Sequence, residues 1–187
     1  MLKYGIFLTL IMTLSYFAFI SLPSCTKSQN RLRYDLTLQT SSAPLSLAPR
    51  ASTGTSFSLS QASSFNIDSF VRASTGGKLG AVNIRNARLV TAALNLADPT
   101  DATNFANFQS CSGTFHTNTN SSEVGVTIAN EDIYSSSLAL PVDSTDELKN
   151  YFVGGNRIIY GFGGNLRRPT SDTLRCCITF TFNLIVE

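Results

Sequence analysis

Residues 173–187 read TLRCCITFTFNLIVE: Leu174, Cys176, Ile178, Phe180, Phe182, Leu184 and Val186 alternate with Thr173, Arg175, Cys177, Thr179, Thr181 and Asn183. Successive side chains of a strand point to opposite faces, so this period of two describes a strand with one face buried. At about 3.3 Å per residue it spans roughly 40 Å, a length at which strands usually bend or carry a bulge. The same alternation recurs towards the N-terminus. Ile158, Tyr160 and Phe162 start a strand closed by Gly163 and Gly164, and Leu138, Leu140 and Val142 form a shorter one. Val124, Val126 and Ile128 form another, and Cys111, Gly113 and Phe115 keep phase through residues 111–119.

Further back, Val82, Ile84, Val90, Ala92, Leu94 and Leu96 share one parity interrupted at Asn86 and Arg88. That pattern fits one long bent strand or two strands joined at Asn86. Phe57 and Leu59 alternate briefly, and Leu32, Tyr34, Leu36 and Leu38 alternate with Arg33, Asp35 and Thr37. Residues 40–55, rich in Ser, Pro and Ala, read as a loop or an irregular edge. Phe65, Ile67, Phe70 and Val71 are spaced more like a helical turn than a strand. One connecting helix is expected after residue 143: Ser144 and Glu147 match a capping box, Asp143 and Asp146 favour the N-terminal turn, and Gly154 and Gly155 stop it. About seven to nine such strands, separated by turns, predict an all-β fold, an antiparallel β-sandwich with one short connecting helix.

Composition narrows the function. Of 187 residues only 14% are charged and the formal net charge is +2, too sparse a basic footprint for a nucleic-acid partner. The 43% hydrophobic content excludes a disordered tail. Ser and Thr supply 44 residues, as in extracytoplasmic β proteins whose outward strand positions carry hydroxyls in place of charges.

Candidate chemistry is thin. Gly76, Gly77 and Lys78 resemble a phosphate loop superficially, but Arg72 stands at the leading glycine and Leu79 where a magnesium-holding hydroxyl belongs, leaving a turn. His116 is the sole histidine, and no Gly-x-Ser-x-Gly elbow accompanies it. The cysteines lack the paired short spacings of a zinc site. Asp98, Asp101, Asp132, Asp143 and Asp146 fall in loops and match no calcium-loop pattern. No catalytic residue, metal or cofactor is therefore expected. Tyr134, beside Asp132 and Ser135, together with Tyr160 and Phe162, are the aromatic residues to watch for ligand contact. Cys111, Cys176 and Cys177 would lie in an oxidising compartment; a Cys111–Cys176 disulfide is open, as is a pair of small buried thiols.

Residues 1–24 read as an export signal, with Lys3 before an apolar run over residues 5–20 and a small-residue exit ending at Ser24. The run is close to the roughly 17 residues that span a bilayer, which keeps an uncleaved helical anchor as a competing reading. The order Leu22, Pro23, Ser24, Cys25 resembles the lipobox of bacterial lipoprotein signal peptides. That resemblance implies lipidation of Cys25, which becomes the mature N-terminus, with residues 25–30 as lipidated cysteine and tether and residues 31–187 as a single domain. The lipobox, the 84–96 strand followed by Asn104, Phe105 and Phe108, the 123–129 strand and the long C-terminal strand together resemble uncharacterised lipid-anchored β-sandwich proteins of Gram-negative, Bacteroidota-type envelopes. The resemblance implies a non-catalytic binding or structural module on the outer membrane, its side unresolved. Its partners would be the bilayer, through acylated Cys25, and an envelope protein or glycan. A pilus or fibre subunit assembled by strand addition is the alternative, suggested by residues 40–55 and 173–187, and a carbohydrate-active hydrolase using two loop acids is the third reading.

Overall fold

The computed structural model describes residues 32–187; the leader, Cys25 and the tether lie outside them. Nine strands follow in order: β1 (Tyr34–Ser41), β2 (Leu45–Leu47), β3 (Ser56–Ser64), β4 (Ile84–Leu96), β5 (Phe108–Thr117), β6 (Val124–Ala129), β7 (Ser137–Leu140), β8 (Arg157–Leu166) and β9 (Leu174–Val186). Helix α1 (Ile67–Ser74) precedes β4, and the single turn α2 (Lys149–Phe152) precedes β8.

One sheet is ordered β1-β9-β4-β7, with β2 also on β9, and the other β3-β8-β5-β6; every pairing is antiparallel. β1 and β2 are one strand interrupted before Pro44, which has no N–H to give a ladder. At the break the Ser42 hydroxyl accepts the Ile178 N–H at 2.9 Å, while the Ser42 N–H donates to the Ile178 carbonyl at 2.9 Å. From β2 onwards every connection except β5–β6 crosses between the sheets. Two four-stranded layers linked in this order define a jelly roll, the expected β-sandwich in a more specific form.

β9 sits in the middle of its sheet, pairing β1 and β2 on one side and β4 on the other. All seven of its alternating apolar residues, from Leu174 to Val186, are buried. β4 is one strand, bent by irregularities between Ile84 and Asn86 and between Leu89 and Thr91. Each adds a residue and reverses which parity faces inward. Ala87 and Leu89 are therefore core residues and Val90, which shares the inward parity in the sequence, is exposed; Val82, of the same parity, is exposed in the 3-10 turn Ala81–Asn83 that precedes β4. Residues 40–55 contribute more strand than their composition suggests, because Thr40, Ser41 and β2 all pair with β9.

The single helix expected after residue 143 is corrected in two ways. The longer helix is α1, where Asn66 Oδ1 accepts the Ser69 N–H at 2.9 Å and Ile67 and Val71 face the core. Gly76 and Gly77, at φ +63° and +78°, turn the chain after it, as only glycine does without strain. The second correction concerns Ser144 and Glu147, which form no capping box. Asp143 Oδ1 instead accepts from the Thr145 N–H and hydroxyl, and Glu147 Oε1 accepts from the N–H groups of Ala87 and Lys149, both at 2.9 Å. On that side of β4 strand β7 pairs only Ala92 to Asn95, so the Ala87 amide has no strand partner there, and the glutamate supplies one. Only four residues of helix remain.

Asp68 clips α1 to the start of β4. Its carboxylate accepts Arg72 Nε at 2.6 Å and the Ala81 N–H at 2.9 Å, and these bonds, the arginine's first, hold it below the ordinary value of 3.8. A lowered folded-state pKa means that the clip contributes at neutral pH and is lost as pH falls through that lowered value. Asp68→Asn is accordingly expected to lower Tm at neutral pH, with the difference from wild type shrinking as pH drops below 3.8, followed by circular dichroism melts.

Candidate functional site

The outer face of the β3-β8-β5-β6 sheet follows from parity. In β8 Tyr160 and Phe162 point inward, so Gly161 and Gly163 point outward. The register then places Ser58 beside Gly163, Gly163 beside Ser112 and Ser112 beside Thr127. The next row runs Ser60, Gly161, Thr114, Gly125. Two side-chain-free positions in a central strand, walled by hydroxyls on both neighbours, make a groove of about 390 Å³.

The glycines leave room for the hydroxyls of that wall. A Cβ on Gly163 would lie 2.9 Å from Ser112 Oγ, and one on Gly161 would collide with the Thr114 hydroxyl. At one end Asn165 is fixed between Ser56, which donates to its Oδ1 at 2.7 Å, and Ser110, whose hydroxyl accepts its Nδ2 at 3.2 Å. The hydroxyls of Ser58, Ser60, Ser112 and Thr114 enter no hydrogen bond with other described residues and face the groove. Glu123 closes the other end, with His116 Nδ1 at 4.0 Å from its carboxylate. The arrangement offers an uncharged bed of donors and acceptors, each hydroxyl able to do both.

The residues singled out in the sequence are distributed elsewhere. Tyr160 and Phe162 are core, packed on Phe180 and on Phe57 and Phe108. Tyr134 is exposed beside exposed Ile133, in a loop whose Asp132 is held by Arg168 and lies 3.7 Å from Arg167. Asp98 is 4.0 Å from Arg175 near the same end of the sandwich, where Asp101 also falls, while Asp143 and Asp146 lie at the opposite end near the start of β4. Among the described residues no group of three or more His, Cys, Asp or Glu side chains is arranged to hold a metal. Asp146 does share an open hollow with Glu123, Glu147 and Tyr151, but Glu147 is already committed to backbone amides. Lys78 lies in the glycine turn after α1.

Cys111 in β5 and Cys176 in β9 belong to opposite sheets and are both fully buried free thiols; Cys177 is half-buried and also free. Burial pushes Cys111 up to about 12 and raises Cys176 further, with the facing Cys111 charge adding to the latter. Native alkylation near neutral pH is expected to modify Cys177 while sparing Cys111 and Cys176, with all three reacting after denaturation. Peptide mass mapping checks this, and a Cys111–Cys176 disulfide would appear as a denatured chain lighter by two hydrogens with two cysteines unalkylated.

The groove residues were not singled out in the sequence. Their signal is present as three same-parity runs: Ser56, Ser58, Ser60; Ser110, Ser112, Thr114; and Gly161, Gly163. Polar outward positions ordinarily mark a solvated face, and only the register shows that the glycines lie between the hydroxyls.

Fold and groove together define a jelly-roll domain with a hydroxyl-lined outer sheet. No protein-family model matches the chain, and no curated protein matches it. Among solved structures it is similar to Desmodium yellow mottle tymovirus at 11% identity, covering 83% of this chain and 89% of that one with a TM-score of 0.30. It is also similar to the capsid protein of BFDV in a 60-mer, at 13% identity, covering 83% and 94% with a TM-score of 0.34. Likenesses at these scores carry no functional argument.

Proposed function

We propose that the chain is a membrane-tethered envelope lipoprotein of the outer membrane whose jelly roll is a non-catalytic binding module for a neutral, polyhydroxylated ligand such as a glycan. The observation that carries the ligand class is the groove over Gly161 and Gly163, whose hydroxyl walls are uncharged along most of their length. Neutral sugars present matching donors and acceptors, while an ionic ligand would find only Glu123 at one end. The anchor is supported by the Leu22 to Cys25 order.

The test is retention on immobilised neutral polysaccharides, comparing wild type with Ser112→Ala/Thr114→Val. This pair removes two groove hydroxyls and leaves the inward face untouched. Neutral hydrogen bonds contribute about 0.5–1.5 kcal/mol each, so the double variant is expected to bind roughly five-fold or more weakly. Wild type retained by no neutral polysaccharide, or a variant retained equally, sinks the reading.

Strand addition remains the second reading, and a particular edge favours it. β9 is paired on both sides, but β3 is an edge strand of nine residues, SFSLSQASS, with neither charge nor proline to discourage pairing. Heat-resistant ladders of oligomers on a gel would favour that assembly over a monomeric module.

A further inference from the structure

The chain enters the domain at one end of the sandwich. Tyr34 pairs with Val186, and Val186 pairs with Ile84, so the first described residues lie where β9 ends and β4 begins. Arg33 Nε stands 4.0 Å from Glu187 Oε1; the Glu187 N–H donates to the Asn83 carbonyl at 3.0 Å, and Asn83 Nδ2 returns a bond to the Glu187 carbonyl at 3.2 Å. Leu32 and Val82 flank this linkage, one residue from either side. They are 50% and 74% exposed, and Val82 is the most exposed large apolar side chain among the described residues.

The charges around them are of both signs. Asp68 and Glu187 are each matched by an arginine, Arg72 and Arg33, while Asp143, Asp146 and Glu147 lie at the same end, towards α2. Lys78 and Arg85 are exposed and have no carboxylate within salt-bridge distance among the described residues. The apolar tips are therefore bordered by two unpaired cations, a combination that binds anionic lipid surfaces.

We propose that this end of the jelly roll docks on the bilayer, with Leu32 and Val82 entering the interfacial region and Lys78 and Arg85 meeting lipid phosphates. The inference rests on the lipoprotein reading, because it takes Cys25 as the anchored point. Seven residue steps separate Cys25 from Leu32, a reach of at most about 25 Å. The thirteen residues of β9 run about 40 Å, so the opposite end, with Ile133 and Tyr134, cannot be turned onto the membrane while Cys25 is held there. A side-on pose is within reach of the leash, but the outer face of the β3-β8-β5-β6 sheet would offer lipid mainly hydroxyls. Docked by its end, the domain keeps the groove over Gly161 and Gly163 open to the side.

The sequence contains no tryptophan, so one introduced residue reports alone. V82W and, at the far end, Y134W are made as full acylated chains and placed in vesicles of phosphatidylethanolamine and phosphatidylglycerol with or without bromine-labelled acyl chains. V82W emission is expected to shift to the blue and lose about half its intensity to the bromines, consistent with burial at the headgroup boundary, while Y134W stays water-like. Adding K78E and R85E to V82W is expected to reduce the quenching. Vesicle-bound protein in which V82W is quenched no more than Y134W overturns the docking surface and leaves the anchor standing. Wild type that fails to bind vesicles, or binds no better than C25A, overturns the lipoprotein reading and the docking with it.

Discussion

Cys25→Ala chain made in a Gram-negative host is expected to move from the detergent phase to the aqueous phase on partitioning, and to lose the acylated mature mass that wild type shows from Cys25 onward. The effect is large because every buried methylene adds about 0.8 kcal/mol to membrane affinity, and a residue carrying several acyl chains loses all of it in one substitution. Among the described residues no helix is long and apolar enough to cross a membrane, so nothing described in the domain replaces the anchor by a helical span. Intact mass spectrometry reads both species. An unacylated wild-type product would return the leader to a cleaved secretory signal or an uncleaved helix.

The largest expected loss of stability follows Phe115→Ala. Phe115 projects from β5 across the sandwich, and its ring centroid lies 5.1 Å from Phe180, 5.2 Å from Phe182 and 5.7 Å from Tyr151. It is fully buried, and Phe182 in turn meets Phe152 at 4.9 Å. Removing the ring forfeits its transfer from water and leaves a cavity between two sheets that cannot both close on it, a cost of about 3–5 kcal/mol. Total stabilities of single domains are about 5–15 kcal/mol, so a substantial part of the margin goes. Urea unfolding is expected to show a lower midpoint, whereas Val90→Ala, on the exposed side of the β4 irregularity, should stay within about 0.5 kcal/mol of wild type. A Phe115→Ala midpoint equal to that of Val90→Ala would falsify the account of the inter-sheet aromatic core.

Strand identity was legible wherever alternation ran unbroken. β9 could be read residue by residue because each inward position is Leu, Cys, Ile, Phe or Val. β4 could be read as a strand but not as a face, since its two irregularities reverse parity and put Val90 outside and Ala87 inside. The short helix after residue 143 shows local signals yielding to tertiary demand. Glu147 has an unpaired amide at Ala87 within reach, and satisfying a partly buried backbone donor outweighs a solvent-exposed capping box. α1 was harder to see because its eight residues give barely two turns of periodicity.

The candidate groove marks the boundary between local and non-local information. Inward and outward sides of β3, β5 and β8 follow from each strand's own alternation, a property of the pleated backbone that needs no partner. That Ser58 and Ser112 flank Gly163 depends on hydrogen-bond register between segments separated by about fifty to a hundred residues, and it is set when the two sheets close on the shared aromatic core. The same holds for the end of the sandwich where Arg33, Glu187 and Asn83 meet. Local chemistry made the strands, their buried sides and the lipobox-like Cys25 readable from the residues alone. The neighbour of each strand, and hence the groove and the end that gathers Leu32, Lys78, Val82 and Arg85, was decided by which long-range pairing buries all the apolar faces at once.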